Sequence, residues 1–303
     1  MKTFLKGLTS LLLFFSLLSL CLPGMAQDKK IIIGGKNFTE QYILAELAKA
    51  LLAKNGFQVV LKTGLPTNMA RKAVLSGEVG FYYEYTGTAY TLFYKRDNPE
   101  IMNDPQAVYK WVRENDAQKD LFWLTPVKLN NTYTLMMKKP QAAKFGISSI
   151  SDLAVYIDKN PEDLIIGIGT EFWNRPDGFK KLAKVYGLNF PFANIKKMSL
   201  GLAYKALKDG QINVGMGFAT DGRIAAFNFV NLEDNKKFFP VYNPCPVVRK
   251  DVLEKYPEIE KILEPLAKNL DTGEMQAMNK SVDVEHKSEA DVAKSWLKKE
   301  GLL

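Results

Sequence analysis

Short apolar runs alternate with helix-spaced apolar residues along most of this chain. Ile31, Ile32 and Ile33 precede Gly34-Gly35, the form of a short buried strand ended by glycines. Asn37 stands three residues before Glu40, a helix-start pattern. Leu44, Leu47, Ala48, Leu51 and Leu52 then recur at helical spacing as far as Gly56. Residues 58–62 read as the next strand, 67–75 as a helix ended by Gly77, and 79–85 as an aromatic-rich strand. Further helices are predicted over 105–115, 177–186 and 202–207, with a short one opened by Ser151; strands are predicted over 122–124, 132–137, 164–168 and 212–216. Beyond about residue 238 short strands give way to helices, the last over 289–299 behind Ser288. Such alternation predicts an α/β fold with mainly parallel sheets covered on both faces. No internal repeat or long linker marks a domain boundary.

Residues 1–26 break this pattern. Lys2 and Lys6 are followed by an apolar run over 8–22, then Pro23 and the small-residue pattern Gly24-Met25-Ala26. This reads as a secretory signal peptide cleaved after Ala26. The run is short for a membrane span of roughly 20 residues, and no second one follows, so the mature chain is expected outside the cytoplasm in soluble form. Lipid anchoring at Cys21 is the rival reading; the bulky Leu20 before it favours simple cleavage.

Composition narrows the function classes. The 303 residues include 41 Lys+Arg and 33 Asp+Glu, a net +8, and 47% are hydrophobic. The length suggests about two domains, and the balance is that of an ordinary globular protein. Without the signal the excess is +6, with no basic run interleaved with aromatics to suggest a nucleic-acid groove. One His and two Cys leave too few ligands for a Cys/His metal centre. His286, in a charged stretch, reads as a surface residue. After cleavage Cys245 is the single thiol, so no internal disulfide is expected. Gly167-Ile168-Gly169 lacks the third glycine of a dinucleotide fingerprint, and no phosphate-cradling loop is present. Neither an enzyme nor a cofactor is indicated.

The aromatic residues are more informative. Residues 81–85 read Phe-Tyr-Tyr-Glu-Tyr, and Tyr133, Trp173, Phe218 and Tyr242 lie near loop signals. Taken singly, such residues usually fill cores. Taken together they permit a cage. A quaternary ammonium has no N–H to donate and is held instead by aromatic faces, each contributing about 0.5–2 kcal/mol.

From Gly35-Lys36-Asn37-Phe38-Thr39-Glu40-Gln41 onward the chain resembles the substrate-binding proteins of glycine betaine/choline (quaternary amine) ABC transporters. The matching stretches recur in order: Glu84-Tyr85-Thr86-Gly87-Thr88, Trp123-Leu124-Thr125-Pro126, Asn130-Asn131-Thr132-Tyr133, Glu171-Phe172 with Arg175-Pro176-Asp177-Gly178, Phe218-Ala219-Thr220-Asp221-Gly222, Phe239-Pro240 with Tyr242, and Pro246-Val247-Val248-Arg249. The resemblance implies a two-lobed periplasmic-binding-protein fold of type II, with mixed sheets flanked by helices and a ligand cleft between lobes. It implies lobe 1 over 27–133 and 239–303 and lobe 2 over 134–238, closing by hinge motion. It implies a site in which Tyr85, Tyr133, Tyr242 and Phe218 supply the cage. By the same resemblance Lys36, Thr88 and Arg175 are expected to hold a ligand carboxylate, and Asn131 to lie beside the cage. The partners implied are a small quaternary-ammonium ligand and an ABC permease in the inner membrane, with the binding protein a monomer. Glycine betaine is the default ligand; choline, carnitine, proline betaine and ergothioneine also carry the required group.

Gly80, Tyr83 and Asn213 depart from the family pattern in the segments that flank these motifs. Tyr83 alternates with Tyr82 along its strand and is expected to pack rather than to join the cage. Two rival readings remain at this level. A binding protein for another zwitterion, such as an amino acid, needs an acidic group for ammonium donors, with Asp221 or Glu84 the candidates. A hydrolase of the same bilobal fold needs paired acids in the cleft.

Overall fold

The computed structural model describes residues 29–303, so the expected signal peptide and Cys21 lie outside the described residues. Among the described residues ten strands carry the fold: β1 (Lys29–Lys36), β2 (Phe57–Leu65), β3 (Phe81–Tyr85), β4 (Leu121–Trp123), β5 (Tyr133–Lys138), β6 (Ile166–Gly169), β7 (Ile195–Met198), β8 (Val214–Phe218), β9 (Phe229–Asn231) and β10 (Pro244–Arg249). They form two five-stranded sheets, in the orders β2-β1-β3-β10-β4 and β7-β6-β8-β5-β9. The chain passes from the first sheet to the second between β4 and β5 and returns between β9 and β10.

Both sheets are mixed and flanked by helices, as the resemblance implied, whereas alternation alone suggested mainly parallel sheets. β1 is parallel to β2 and β3, and β6 to β7 and β8. β10 is antiparallel to β3 and β4, and β5 to β8 and β9. A crossover helix keeps successive strands of one sheet parallel. Neither β5 nor β10 follows such a helix from a strand of its own sheet; each arrives from the other sheet.

The glycines expected to end the first strand lie inside it. A Cβ on Gly35 would stand 2.8 Å from Thr63 Cγ2, and one on Gly34 3.2 Å from Tyr82 Cβ. They let β1 approach its neighbours closely. The register shifts between Gly34 and Lys36, and an irregularity of this kind re-aims the side chain that follows it.

Three helix starts also differ from expectation. α1 (Thr39–Lys54) begins behind Phe38 with no side-chain cap, and Glu40 turns inward. The helix Ile150–Lys159 is capped by Ser149, not Ser151, because Ser149 and Asp152 form a reciprocal capping box. The predicted helix over 177–186 begins at Phe179, because the Asp177 side chain is committed to Arg175.

The three departures from the family pattern have structural roles. Tyr83 is buried in the first sheet's core against Phe81. A Cβ on Gly80 would meet Ile31 at 3.0 Å and Val252 at 3.3 Å. Asn213 Oδ1 accepts the Ile165 N–H at 2.8 Å. His286 is exposed, as expected.

Two buried carboxyls brace the first sheet. Asp116 of α3 (Pro105–Ala117) accepts both terminal nitrogens of Arg71 at 2.7 and 2.5 Å, the Tyr94 hydroxyl at 2.5 Å and the Trp123 indole N–H at 2.8 Å. Arg71 comes from α2 (Thr67–Leu75), so this one group ties α2, α3 and β4 together. The other is Glu40, whose Oε1 accepts the Tyr85 hydroxyl at 2.7 Å and Asn131 Nδ2 at 3.0 Å. Asn131 Oδ1 in turn accepts the Thr220 hydroxyl at 3.0 Å, and Asn279 of α4 (Thr272–Asp283) donates to the Thr220 carbonyl at 2.9 Å. Glu40 Oε2 is buried without a partner. Burial drives the Glu40 carboxyl up to about 7, against hydrogen bonds that favour its charge.

Asp116→Ala should destabilise the protein by about 3–5 kcal/mol, because it leaves the Arg71 guanidinium buried and unpaired. A urea midpoint within error of the parent would refute this account. Glu40 has a different signature. Its folded value lies above the ordinary 4.5, so the stability it confers is fully present below pH 4.5 and is lost as pH rises through about 7. The difference is about 3 kcal/mol. Glu40→Gln should remove that slope, as read by unfolding across pH 4–8; an unchanged slope would assign the proton to another group.

Candidate functional site

A cavity of about 430 Å³ opens where the carboxyl ends of β1, β3, β6, β7 and β8 face one another. The carboxyl end of parallel strands is the usual place for a ligand in α/β folds. All eight residues singled out from the sequence line it: Lys36, Tyr85, Thr88, Asn131, Tyr133, Arg175, Phe218 and Tyr242. Strand register explains much of this. Tyr133 opens β5 directly opposite Phe218, which ends β8. Tyr85 ends β3 opposite Pro244, two residues after Tyr242.

The rings form one arc. Tyr85 lies 6.1 Å from Phe38 (centroid to centroid), Phe38 5.3 Å from Phe218, Phe218 5.0 Å from Tyr133, and Tyr133 5.6 Å from Tyr242 at 87°. Phe172 backs the arc, stacked 4.6 Å from Tyr133. Sequence reasoning missed Phe38 and Phe172 as site residues, although both sit inside the quoted motifs. A ring two positions after Lys36 reads as a helix-start residue until the tertiary structure turns it inward. Trp173 does not line the cavity; Lys197 and Lys180 stand over its ring at 4.2 and 5.2 Å. Burial raises the hydroxyl pKa of Tyr85, Tyr133 and Tyr242, so all three remain neutral phenols.

The charged groups come as pairs. Lys36 is buried, not solvated, and its Nζ lies 2.5 Å from Glu84 Oε1 and 5.0 Å from the Tyr85 ring centroid. Burial lowers the Lys36 pKa, and the Glu84 charge opposes that shift. Glu84 also accepts the Tyr82 hydroxyl and the Tyr85 N–H, at 3.0 and 2.7 Å. Arg175 follows α5 (Thr170–Asn174) and is held in two-point fashion by Asp177, at 2.8 Å through Nε and 2.6 Å through Nη2. Asp177 also accepts the Thr91 and Tyr242 hydroxyls at 2.6 and 2.9 Å. Burial alone would raise the Asp177 carboxyl, but Arg175 and these donors take it below its ordinary value. The turn that carries the pair requires glycine, since a Cβ on Gly178 would lie 1.9 Å from the Phe172 carbonyl oxygen.

Glu171 and Thr67 also line the cavity, and neither was singled out from the sequence. Neither of the two acids named for the amino-acid reading, Glu84 and Asp221, reaches the cavity. Glu84 is wholly buried on Lys36, and Asp221 is held by Arg223 at 2.9 and 2.5 Å; neither lines this cavity. Cys245 is buried, and burial raises its thiol pKa.

Comparison with known proteins identifies the family. Residues 29–299 match the family model described as the substrate-binding domain of ABC-type glycine betaine transport systems. A glycine-betaine-binding protein of Pseudomonas aeruginosa is 38% identical over 94% of this chain and 94% of its own. An ergothioneine transport permease/ergothioneine binding protein of Helicobacter pylori is 34% identical over 96% of this chain, which spans 51% of that longer protein. Among solved structures, a glycine betaine/carnitine/choline ABC transporter protein superposes with a TM-score of 0.74 at 29% identity, over 90% of this chain and 99% of its own. The protein under study therefore belongs to the substrate-binding family of ABC-type glycine betaine transport systems, which bind and deliver ligand rather than catalyse a reaction.

Proposed function

We propose that this protein captures a small quaternary ammonium compound, of the class that includes glycine betaine, choline, carnitine and ergothioneine, in the cavity and delivers it to an ABC permease. The carrying observation is the arc of five rings lining one cavity, Tyr85, Phe38, Phe218, Tyr133 and Tyr242. Neutral aromatic faces attract a cation that cannot hydrogen-bond. Lys36, Thr88 and Arg175, in the rest of the lining, face the ligand's polar end, with Asn131 beside the rings. Relatives named for glycine betaine and for ergothioneine support this reading, since both compounds carry a trimethylammonium and a carboxylate.

The two sheets correspond to two lobes, 27–133 with 239–303 and 134–238, closing on ligand about crossings near 134 and 238. The basic start, apolar run and small residues of 1–26 support export and cleavage after Ala26. No helix among the described residues is long and apolar enough to cross a membrane. The protein works as a monomer outside the inner membrane.

Ligand-stripped protein titrated calorimetrically with glycine betaine, choline, ergothioneine and glycine tests the reading. A methylated compound should bind saturably at micromolar affinity, about −8 kcal/mol, and glycine should be silent. Silence from every methylated compound in folded protein would overturn the reading. Tyr133→Ala and Phe38→Ala should each weaken binding by roughly 1–3 kcal/mol, about 5- to 150-fold. A folded variant with parental affinity would remove that ring from the site.

A further inference from the structure

The two cations of the cavity are already neutralised by their own carboxylates. Lys36 is paired with Glu84, and Arg175 spends Nε and Nη2 on Asp177. The remaining terminal nitrogen of Arg175, Nη1, lies 3.5 Å from Glu171 Oε1. The same Oε1 accepts the Thr67 hydroxyl at 2.8 Å, a bond that joins the start of α2 beside the first sheet to α5 beside the second. Glu171 is the single carboxylate among the described residues that line the cavity. Its side chain is 45% exposed, against 3% for Arg175. With each buried pair cancelling, Glu171 leaves the site with one net negative charge.

We infer that Glu171 is a specificity-determining residue: it stands at the free nitrogen of Arg175 as an internal anion that a ligand carboxylate must displace. Resting on the quaternary-ammonium reading of the cavity, this names the favoured class of ligand. A cation without a carboxylate, such as choline, keeps Glu171 in place and is attracted by it. A zwitterion with the same headgroup, such as glycine betaine, must push Glu171 toward solvent or bear the repulsion of two like charges. Juxtaposed like charges are the usual means of rejecting a competing ligand. The partial exposure of Glu171 and its tether through one hydroxyl and one distant guanidinium nitrogen allow that displacement, so betaine is disfavoured rather than excluded.

Glu171→Gln separates charge from shape, since the amide oxygen still accepts from Thr67. Wild type and variant would be titrated with glycine betaine and with choline at one pH and ionic strength, after a thermal melt establishes that the variant is folded. Betaine should bind about tenfold tighter, or better, and choline weaker, so that the two affinities move in opposite directions. Affinities that move together, or do not move, would overturn the specificity role while leaving the cage reading intact. Absence of binding by both ligands to both folded proteins would overturn the cage reading itself. Glu171→Ala also removes the acceptor for Thr67. A selectivity change in the Ala variant that is absent from the Gln variant would assign Glu171 to bridging the cavity rather than to charge, and would overturn the inference.

Discussion

Lys36 and Arg175 are almost wholly withdrawn from water, each lying on a carboxylate that is also buried. A lone charge in such a place costs several kcal/mol, so the pairs can exist only if further donors satisfy the remaining oxygens. Tyr82 and a backbone N–H do so for Glu84; Thr91 and Tyr242 do so for Asp177. The requirement fixes the surrounding geometry. Asp177 follows α5 beside the second sheet, whereas Thr91 and Tyr242 flank the first sheet, so completing the shell of one carboxylate brings the two sheets together. Tyr242 thereby takes its place in the aromatic arc as a consequence of an electrostatic need.

The aromatic arc depends on this packing and on strand register. Register sets Tyr133 against Phe218, and a one-residue slip would turn one of them to the opposite face. Close approach at glycines does the rest. Gly87 has no room for a Cβ beside the Val241 carbonyl, and Gly178 has none beside that of Phe172. The first contact holds the Tyr242 segment against the turn that follows Tyr85, and the second closes the turn between Phe172 and Gly178.

Glu40 adds a polar link behind the arc. It receives the Tyr85 hydroxyl and, through Asn131 and Thr220, reaches the second sheet and α4. A carboxyl of this kind, held near neutrality in charge by burial, fixes one ring of the cage by hydrogen bonding without adding a full charge to the cavity wall. The site is accordingly a set of rings braced from behind by buried carboxyls, Glu84 and Asp177 paired with cations and Glu40 with its pKa raised by burial to about 7, with Glu171 the lining carboxylate that reaches solvent.

The sequence by itself determined the alternation of strands and helices, the export-like start, the paucity of metal ligands and, through ordered motifs, eight of the residues that line the cavity. These are local or compositional signals, and periodicity, capping chemistry and motif order survive without knowledge of contacts. It misread what long-range contacts decide. Gly34 and Gly35 look like a strand end, but they continue β1 because a neighbouring strand needs the space. Asn37 and Glu40 look like a capping pattern, but Glu40 is drawn inward by Tyr85 and Asn131. Phe38 belongs to the arc only because α1 enters against β3 and β8. Lys36 is neutralised by Glu84, 48 residues away in sequence, and the shell that completes the Arg175–Asp177 pair comes from Thr91 and Tyr242, 86 and 65 residues from Asp177. Only the tertiary structure brings such partners together, because the cost of burying a charge is settled by what lies across the fold rather than along the chain.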